Sequence, residues 1–389
     1  MRQSLFALAA AIFLLGACAE QPKTSTPAPP PTTVTPKAGS PVTASGKMRI
    51  ALLLPLSGGA APIGQAMQQA AEMALFDTGA KELALAAYDS GERAETSVEA
   101  YRKARVEGSA LVLGPLFGTS ATALAPLVAQ GGANVVSFSN DEAAAQRGAW
   151  IMGIAAPPQV RRVVDHAVDT GIKRFAAFAP QTPYGQQMVR TLESHAVVRG
   201  GTVAAVELYD ANSPDLATAA RRLAGAIKGD GKLAVLVPVA PPRLAAALAA
   251  LAAVGIDNKT AQFIGTGVWD VPGIGSETML RGAWYAAPDP GRRADFERRF
   301  LATYGRPPHR LATLAYDGVA LAGHLARLKP GGDFSADAIT NPNGWSGVDG
   351  IFRFLPDGRS ERALAVLEVQ SGRATVVSPA PTTFTRPVN

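Results

Sequence analysis

The groups in this chain that could carry a reaction are few and scattered. Its four histidines, His166, His195, His309 and His324, read as surface or helix residues rather than as bases. Cys18 is the only cysteine. Gly344-Trp345-Ser346-Gly347 does not have the spacing of a nucleophile elbow. Gly265-Thr266-Gly267 lacks the third glycine of a dinucleotide loop, and neither a phosphate loop nor a zinc-ligand spacing occurs. The chain therefore reads as a non-enzyme without cofactor or metal. What remains is chemistry of binding. Thr119, Ser120, Ser137 and Ser139 are hydroxyls that follow short apolar runs, and Ser57 and Asp89 hold similar positions. Hydroxyls and backbone N–H groups at a helix N-terminus suit a small anion. The local alternative is that Thr119 or Ser120 caps a helix and Ser139-Asn140 starts a turn.

The elements that position these residues are legible. Leu111–Asn140 reads as strand, loop, helix, turn, strand, with Gly131-Gly132 as the helix stop. Two parallel strands joined by a helix bring both strand ends to one sheet edge, where open α/β sheets bind ligands. Arg49–Leu54 and Leu83–Tyr88 are further strands before it, followed by helices at 63–77 and 94–107 respectively, and Asn134–Phe138 is the strand that closes the stretch. A second alternation runs from Gln159 to Gly265. Helices at 293–304 and 311–328 follow, and then Asp357-Gly358 and Ser371-Gly372 mark hairpins between apolar runs. The late helices are expected on the first lobe and the terminal hairpin on the second, giving a hinged pair with a cleft.

Composition narrows the function classes. The chain has 389 residues, 47% of them hydrophobic and 17% charged, enough for two domains with real cores. Its net charge of +6 is dispersed, with few aromatics among the basic residues, which argues against a nucleic-acid surface.

Residues 1–17 have the charged start and short apolar core of an export signal. Leu15-Gly16-Ala17-Cys18 resembles the bacterial lipobox, which implies a lipid on Cys18 and attachment to a membrane; Ala19 in place of Asp implies the outer membrane by the enteric sorting rule. The alternative is an ordinary signal peptide with a chance cysteine. Residues 18–46, rich in Pro and Thr, read as a disordered tether that reaches roughly 80 Å. Residues 378–389 read as a disordered tail.

The order of several short motifs resembles one superfamily. Pro55-Leu56-Ser57-Gly58, Gly64-Gln65, Gly114-Pro115, Ser137-Phe138-Ser139-Asn140, Tyr184-Gly185 and Ala315-Tyr316-Asp317-Gly318 together resemble type I periplasmic solute-binding proteins of the leucine/isoleucine/valine class. That resemblance implies an α/β fold with two doubly wound parallel-sheet lobes, a hinge and an interlobe cleft. Lobe 1 is expected at 47–156 plus about 290–340, and lobe 2 at 157–289 plus about 345–377. It implies a ligand carboxylate on Thr119, Ser120, Ser137 and Ser139, with Ser57 nearby, and a lid residue at Tyr184. One departure matters. Where amino-acid binders carry an acid after the strand Leu233–Val237, this chain has Pro238-Val239-Ala240-Pro241-Pro242, so a buried ammonium has no partner there. Asp270 is the substitute, or else a loop residue or cap. The lipobox, the tether, Gly265–Asp270 and Gly350–Phe354 resemble one branch, the lipoproteins of the LpoA class that activate penicillin-binding proteins. This implies a peptidoglycan synthase as partner. The alternative is a lipid-anchored receptor of an ABC importer for an amino acid or related small polar ligand.

Overall fold

Met48–Leu54 (β1) is an unbroken apolar run because it is covered on both faces; six of its seven residues are buried. It is followed by α1 (Ala61–Asp77), β2 (Leu83–Asp89), α2 (Ala94–Val106), β3 (Leu111–Leu113), α3 (Gly118–Ala129), β4 (Val135–Ser137) and β5 (Ala149–Ile151). The five strands form a parallel sheet in the order β2-β1-β3-β4-β5. The computed structural model describes Thr43 and residues 46–384. Cys18, the export signal and nearly all of the tether lie outside the described residues.

The chain then crosses into a second lobe. It comprises α4 (Ala156–Asp169), β6 (Arg174–Pro180), α5 (Pro183–Val198), β7 (Thr202–Tyr209), α6 (Ala217–Ala226), β8 (Leu233–Leu236), α7 (Arg243–Ala252), β9 (Gln262–Gly265) and β10 (Trp284–Ala287). Helices α8 (Pro290–Tyr304) and α9 (Ala312–Arg327) return to the first lobe. There Tyr304 donates a hydrogen bond to the Gln69 carbonyl of α1, and Arg299 of α8 pairs with Asp77. Strands β11 (Trp345–Gly347), β12 (Gly350–Phe354) and β13 (Ser360–Arg362) make a small antiparallel sheet. Strands β14 (Ala365–Gln370) and β15 (Arg373–Ser378) close the second sheet, whose order is β15-β14-β10-β9-β8-β6-β7.

Two expectations about the C-terminal region are corrected. The segment from Trp345 to Arg362 does not join the second lobe. Trp345, Phe352 and Phe354 belong to the core of β1, α1 and α9. The turn between β12 and β13 docks on β5, where the Trp150 indole donates to the Leu355 carbonyl and the Ile151 N–H to that of Gly358. Only β14 and β15 complete the second sheet. The sequence shows apolar alternation in both hairpins but not which lobe each covers. Residues 378–384 are also placed: Arg162 of α4 holds the Ser378 hydroxyl and the Pro379 carbonyl, and the Arg353 guanidinium lies over the Phe384 ring.

Each lobe opens with the same close approach. A Cβ on Gly64 of α1 would lie 2.0 Å from the Pro55 carbonyl oxygen, and one on Gly185 of α5 would lie 2.0 Å from that of Pro180. Both contacts are with backbone, so a methyl group forces the helix away from the strand end. Gly64→Ala or Gly185→Ala should cost about 1–3 kcal/mol. Gly225→Ala, at an open position in α6, should instead stabilise by roughly 0.5 kcal/mol. Denaturant titration of the three variants compares them; a harmless Gly64→Ala would refute the packing argument.

Candidate functional site

The strand ends of both sheets and the crossover segments enclose a cavity of about 410 Å³. That lies within the usual range for small-molecule sites. The first lobe contributes Leu116, Phe117, Phe138 and Leu314 to its wall, and the second lobe contributes Tyr184 and Val268. Most of the lining is therefore apolar. The polar groups on the wall are Asn140, Gln159, Asp270 and Arg310, together with the Tyr184 hydroxyl.

Of the residues singled out in the sequence, Tyr184 and Asp270 line this cavity, and the first-lobe hydroxyls do not. Ser57 is exposed, and its hydroxyl bonds to Asp89. Burial raises the Asp89 carboxyl, but Ser57 and the N–H groups of Gly91 and Leu56 outweigh it and hold the group low. Thr119 is exposed on the first turn of α3. Ser120 is buried one residue on, and its hydroxyl has no hydrogen-bond partner among the described residues. Ser137 donates to the Pro115 carbonyl at 2.8 Å and accepts from the Ser139 N–H. Ser139 accepts from the Asp141 N–H at 3.0 Å. These two hydroxyls shape the loop after β4, which in turn presents Phe138 and Asn140. The local reading of the motif, as a turn start, describes its contacts.

Tyr184 sits on the first turn of α5, and its hydroxyl shares a 2.7 Å hydrogen bond with that of Thr266. Burial raises the phenol above its ordinary value despite that bond. Thr266 begins a compact turn, Gly267–Trp269, that follows β9. Gln159 braces the same turn from α4. Its Oε1 accepts the Gly267 N–H at 2.5 Å, and its Nε2 donates to the Ala155 carbonyl at 3.0 Å. This buried amide thus ties the turn to the crossover between lobes.

Asp270 follows the turn and joins the lobes electrostatically. Its carboxylate meets Arg293 of α8 at 2.6 Å, with both side chains only 13% exposed. Arg310, just before α9, approaches the same oxygen at 3.7 Å and binds Asp349 at 3.0 Å. Burial disfavours the Arg293 cation, but Asp270 outweighs it, with Asp349 and Glu297 adding to the effect, and the guanidinium is held above its ordinary value. Burial likewise pushes Asp349 up, and Arg310 and Arg362 together bring it below the ordinary carboxylate range. Gln159, Arg293 and Arg310 escape sequence reasoning. Their partners lie 108, 23 and 39 residues away respectively, with several elements between, and for Arg293 the partner is in the other lobe. No local spacing encodes such pairs.

Comparison with known proteins agrees with this architecture. A putative branched-chain amino acid ABC transporter protein from Rhodospirillum rubrum superposes with a TM-score of 0.73 at 20% identity, over 85% of this chain and all of that one. A solute-binding protein from Rhodopseudomonas palustris in complex with benzoate gives 0.60 at 17% identity, over 86% of this chain and 98% of that one. The substrate-binding protein LivJ of Streptococcus pneumoniae in complex with isoleucine gives 0.59 at 18% identity, over 86% of this chain and all of that one. In sequence, an uncharacterized protein of Rickettsia prowazekii is 22% identical over 177 residues, which is 46% of this chain and 47% of that protein. The matched stretch thus spans about half the length of that relative. The family model described as periplasmic binding protein matches residues 47–374. With two α/β lobes, parallel sheets and a cavity at their shared strand ends, the chain belongs to the periplasmic binding protein family.

Proposed function

We propose that the protein is a non-enzymatic binding protein of the cell envelope, lipid-anchored through Cys18, that holds a small organic molecule between its lobes as a receptor of an import transporter. The observation that carries this reading is the 410 Å³ cavity with walls from both lobes and a few convergent polar groups. Solved relatives with isoleucine or benzoate bound support it. A thermal-shift screen of the purified protein against amino acids, aromatic and aliphatic acids, amides and muropeptides tests it. A ligand at 100 times its Kd should stabilise the fold by about 2.7 kcal/mol. A screen in which no member raises Tm counts against a receptor. Mass spectrometry of the processed protein tests the anchor, which a Cys18→Ala variant should lose.

One observation favours a second reading. Asp270 and Arg293 bridge the lobes directly, side chain to side chain. An ion pair of the protein's own that ties the lobes together suits a purely structural role, the stimulation of a peptidoglycan-synthesising penicillin-binding protein at the outer membrane. Pull-down from solubilised envelope should then recover that synthase, and the added protein should raise transpeptidation. Neither effect is expected of a transport receptor.

A further inference from the structure

We infer that Asp270 is a specificity-determining residue: by neutralising Arg293 and Arg310 at the cleft, it excludes carboxylate ligands and leaves the cavity to an uncharged, mostly apolar molecule. The inference rests on the small-ligand reading and names the ligand class of that same cavity.

Asp270 and Arg310 are the charged residues on the cavity wall. Neither is free to meet a ligand charge. Both oxygens of Asp270 are engaged by Arg293, at 2.6 Å and 3.4 Å. Arg310 divides its guanidinium between Asp270 and the fully buried Asp349. At the cleft two cations therefore face two anions; Arg362, which also acts on Asp349, has Asp317 at 3.8 Å, and Glu297, half exposed at 3.3 Å from Arg293, is screened by solvent. A carboxylate or ammonium that entered would lose its hydration and find no unpaired opposite charge, which is costly in an apolar enclosure.

The neutral groups point the same way. The hydroxyls of Ser137 and Ser139, which would make an anion cradle, serve the backbone of their own loop. The remaining polar wall consists of two amides, Asn140 and Gln159, and the Tyr184 phenol. A phenol is neutral at pH 7 in any case, and burial raises this one further. Gln159 is spent on the Gly267 N–H and the Ala155 carbonyl, so Asn140 and the capacity left on the Tyr184 hydroxyl beside its Thr266 bond are what can hydrogen-bond an uncharged polar end, and the surrounding leucines, phenylalanines, Ile63 and Ile154 take an apolar body.

The test uses the intact protein and three probes on one scaffold: benzamide, benzoate and benzylammonium, with Kd values from ligand-observed NMR. Wild type should prefer benzamide over both ions by about tenfold or more. Asp270→Asn leaves Arg293 and Arg310 under-compensated, so the ratio of benzoate to benzamide affinity should rise about tenfold, whatever happens to the two affinities together. Arg293→Gln leaves Asp270 with the shared Arg310, so the gain should move to benzylammonium. Benzoate binding to wild type as tightly as benzamide, or a benzoate-to-benzamide ratio no higher for Asp270→Asn than for wild type, overturns the inference and leaves the binding reading intact. If no probe binds wild type, the same comparison is made on a hit from the thermal screen and its ionised analogues. A screen without hits removes the binding reading, and the inference with it.

Discussion

Replacing Arg362 with Met should cost the fold about 3–5 kcal/mol at pH 8, and clearly less at pH 5. Arg362 lies in the interior of the first lobe, with its side chain 5% exposed and its guanidinium over the Phe352 ring. It stands between two buried carboxyls. Asp317 of α9 is 3.8 Å away, and the Asp349 backbone carbonyl accepts from Arg362 at 3.2 Å. Asp317 also accepts the Val348 N–H at 2.7 Å. Burial pushes the Asp317 carboxyl up to about 7, although Arg362 pulls it down. A carboxyl raised above its unfolded value adds stability while it is protonated, and loses that contribution as pH climbs from about 4 through 7. At pH 8 Asp317 is charged, and in the variant it faces Asp349 without the intervening cation. Its pKa must therefore rise further, which extends the window of lost stability from the same lower edge to higher pH. At pH 5 Asp317 is neutral in both proteins, so only the Asp349 share of the loss remains. Denaturant titrations at the two pH values measure the difference, and equal losses would refute this account. Adding Asp317→Asn to the Met variant should restore stability at pH 8 and do little at pH 5. That outcome separates charge repulsion from the loss of packing on Phe352.

What the sequence reveals and what it hides divide along physical lines. Apolar runs such as Arg49–Leu54 and Leu233–Val237 announce buried parallel strands, because burial on both faces leaves few positions for polar residues. Glycine stops and helical periodicity place α1, α2 and α9 to within a few residues. The cavity is less legible. Ser137 and Ser139 stand at the expected sheet edge, yet a hydroxyl can turn to the nearest backbone group as readily as to a ligand, and sequence does not record its direction. Asp270 illustrates the converse. Its neighbours mark a loop after a strand, and its chemistry depends on Arg293 and Arg310, which the crossover between lobes brings to it. The C-terminal β-strands show the same limit at a larger scale. Hairpin signals at Asp357-Gly358 and Ser371-Gly372 are local, whereas the surface each hairpin covers is set by distant partners such as Trp150.

Trp269→Ala should cost about 3–5 kcal/mol and should also remove the ligand binding proposed for the cleft. The six residues from Gly265 to Asp270 act as one device. Trp269 is fully buried, its indole donates to the Val239 carbonyl at 3.0 Å, and its ring meets Tyr285 edge-on with centroids 6.3 Å apart. A Cβ on Gly265 would come within 2.5 Å of the Trp269 ring, so glycine is what lets the indole fold back beneath the strand end. With the indole anchored, Thr266 meets Tyr184, the Gly267 N–H meets Gln159, and Val268 and Asp270 reach the cavity wall. The anchor also gives the proline-rich loop after β8 a role. Where amino-acid binders are expected to carry an acid, this loop offers the carbonyl that receives Trp269. Truncation to Ala leaves a large cavity under the turn and frees Asp270 from its geometry with Arg293. Trp269→Phe keeps most of the packing and loses the N–H donor, so its cost should be about 1–3 kcal/mol. Denaturant titration gives the two stabilities, and hydrogen exchange over residues 266–270 reports the turn itself. A Trp269→Ala protein that kept both the exchange protection of this turn and the ligand affinity of wild type would show that Asp270 and Tyr184 are positioned by the lobes directly, and that the indole only fills space.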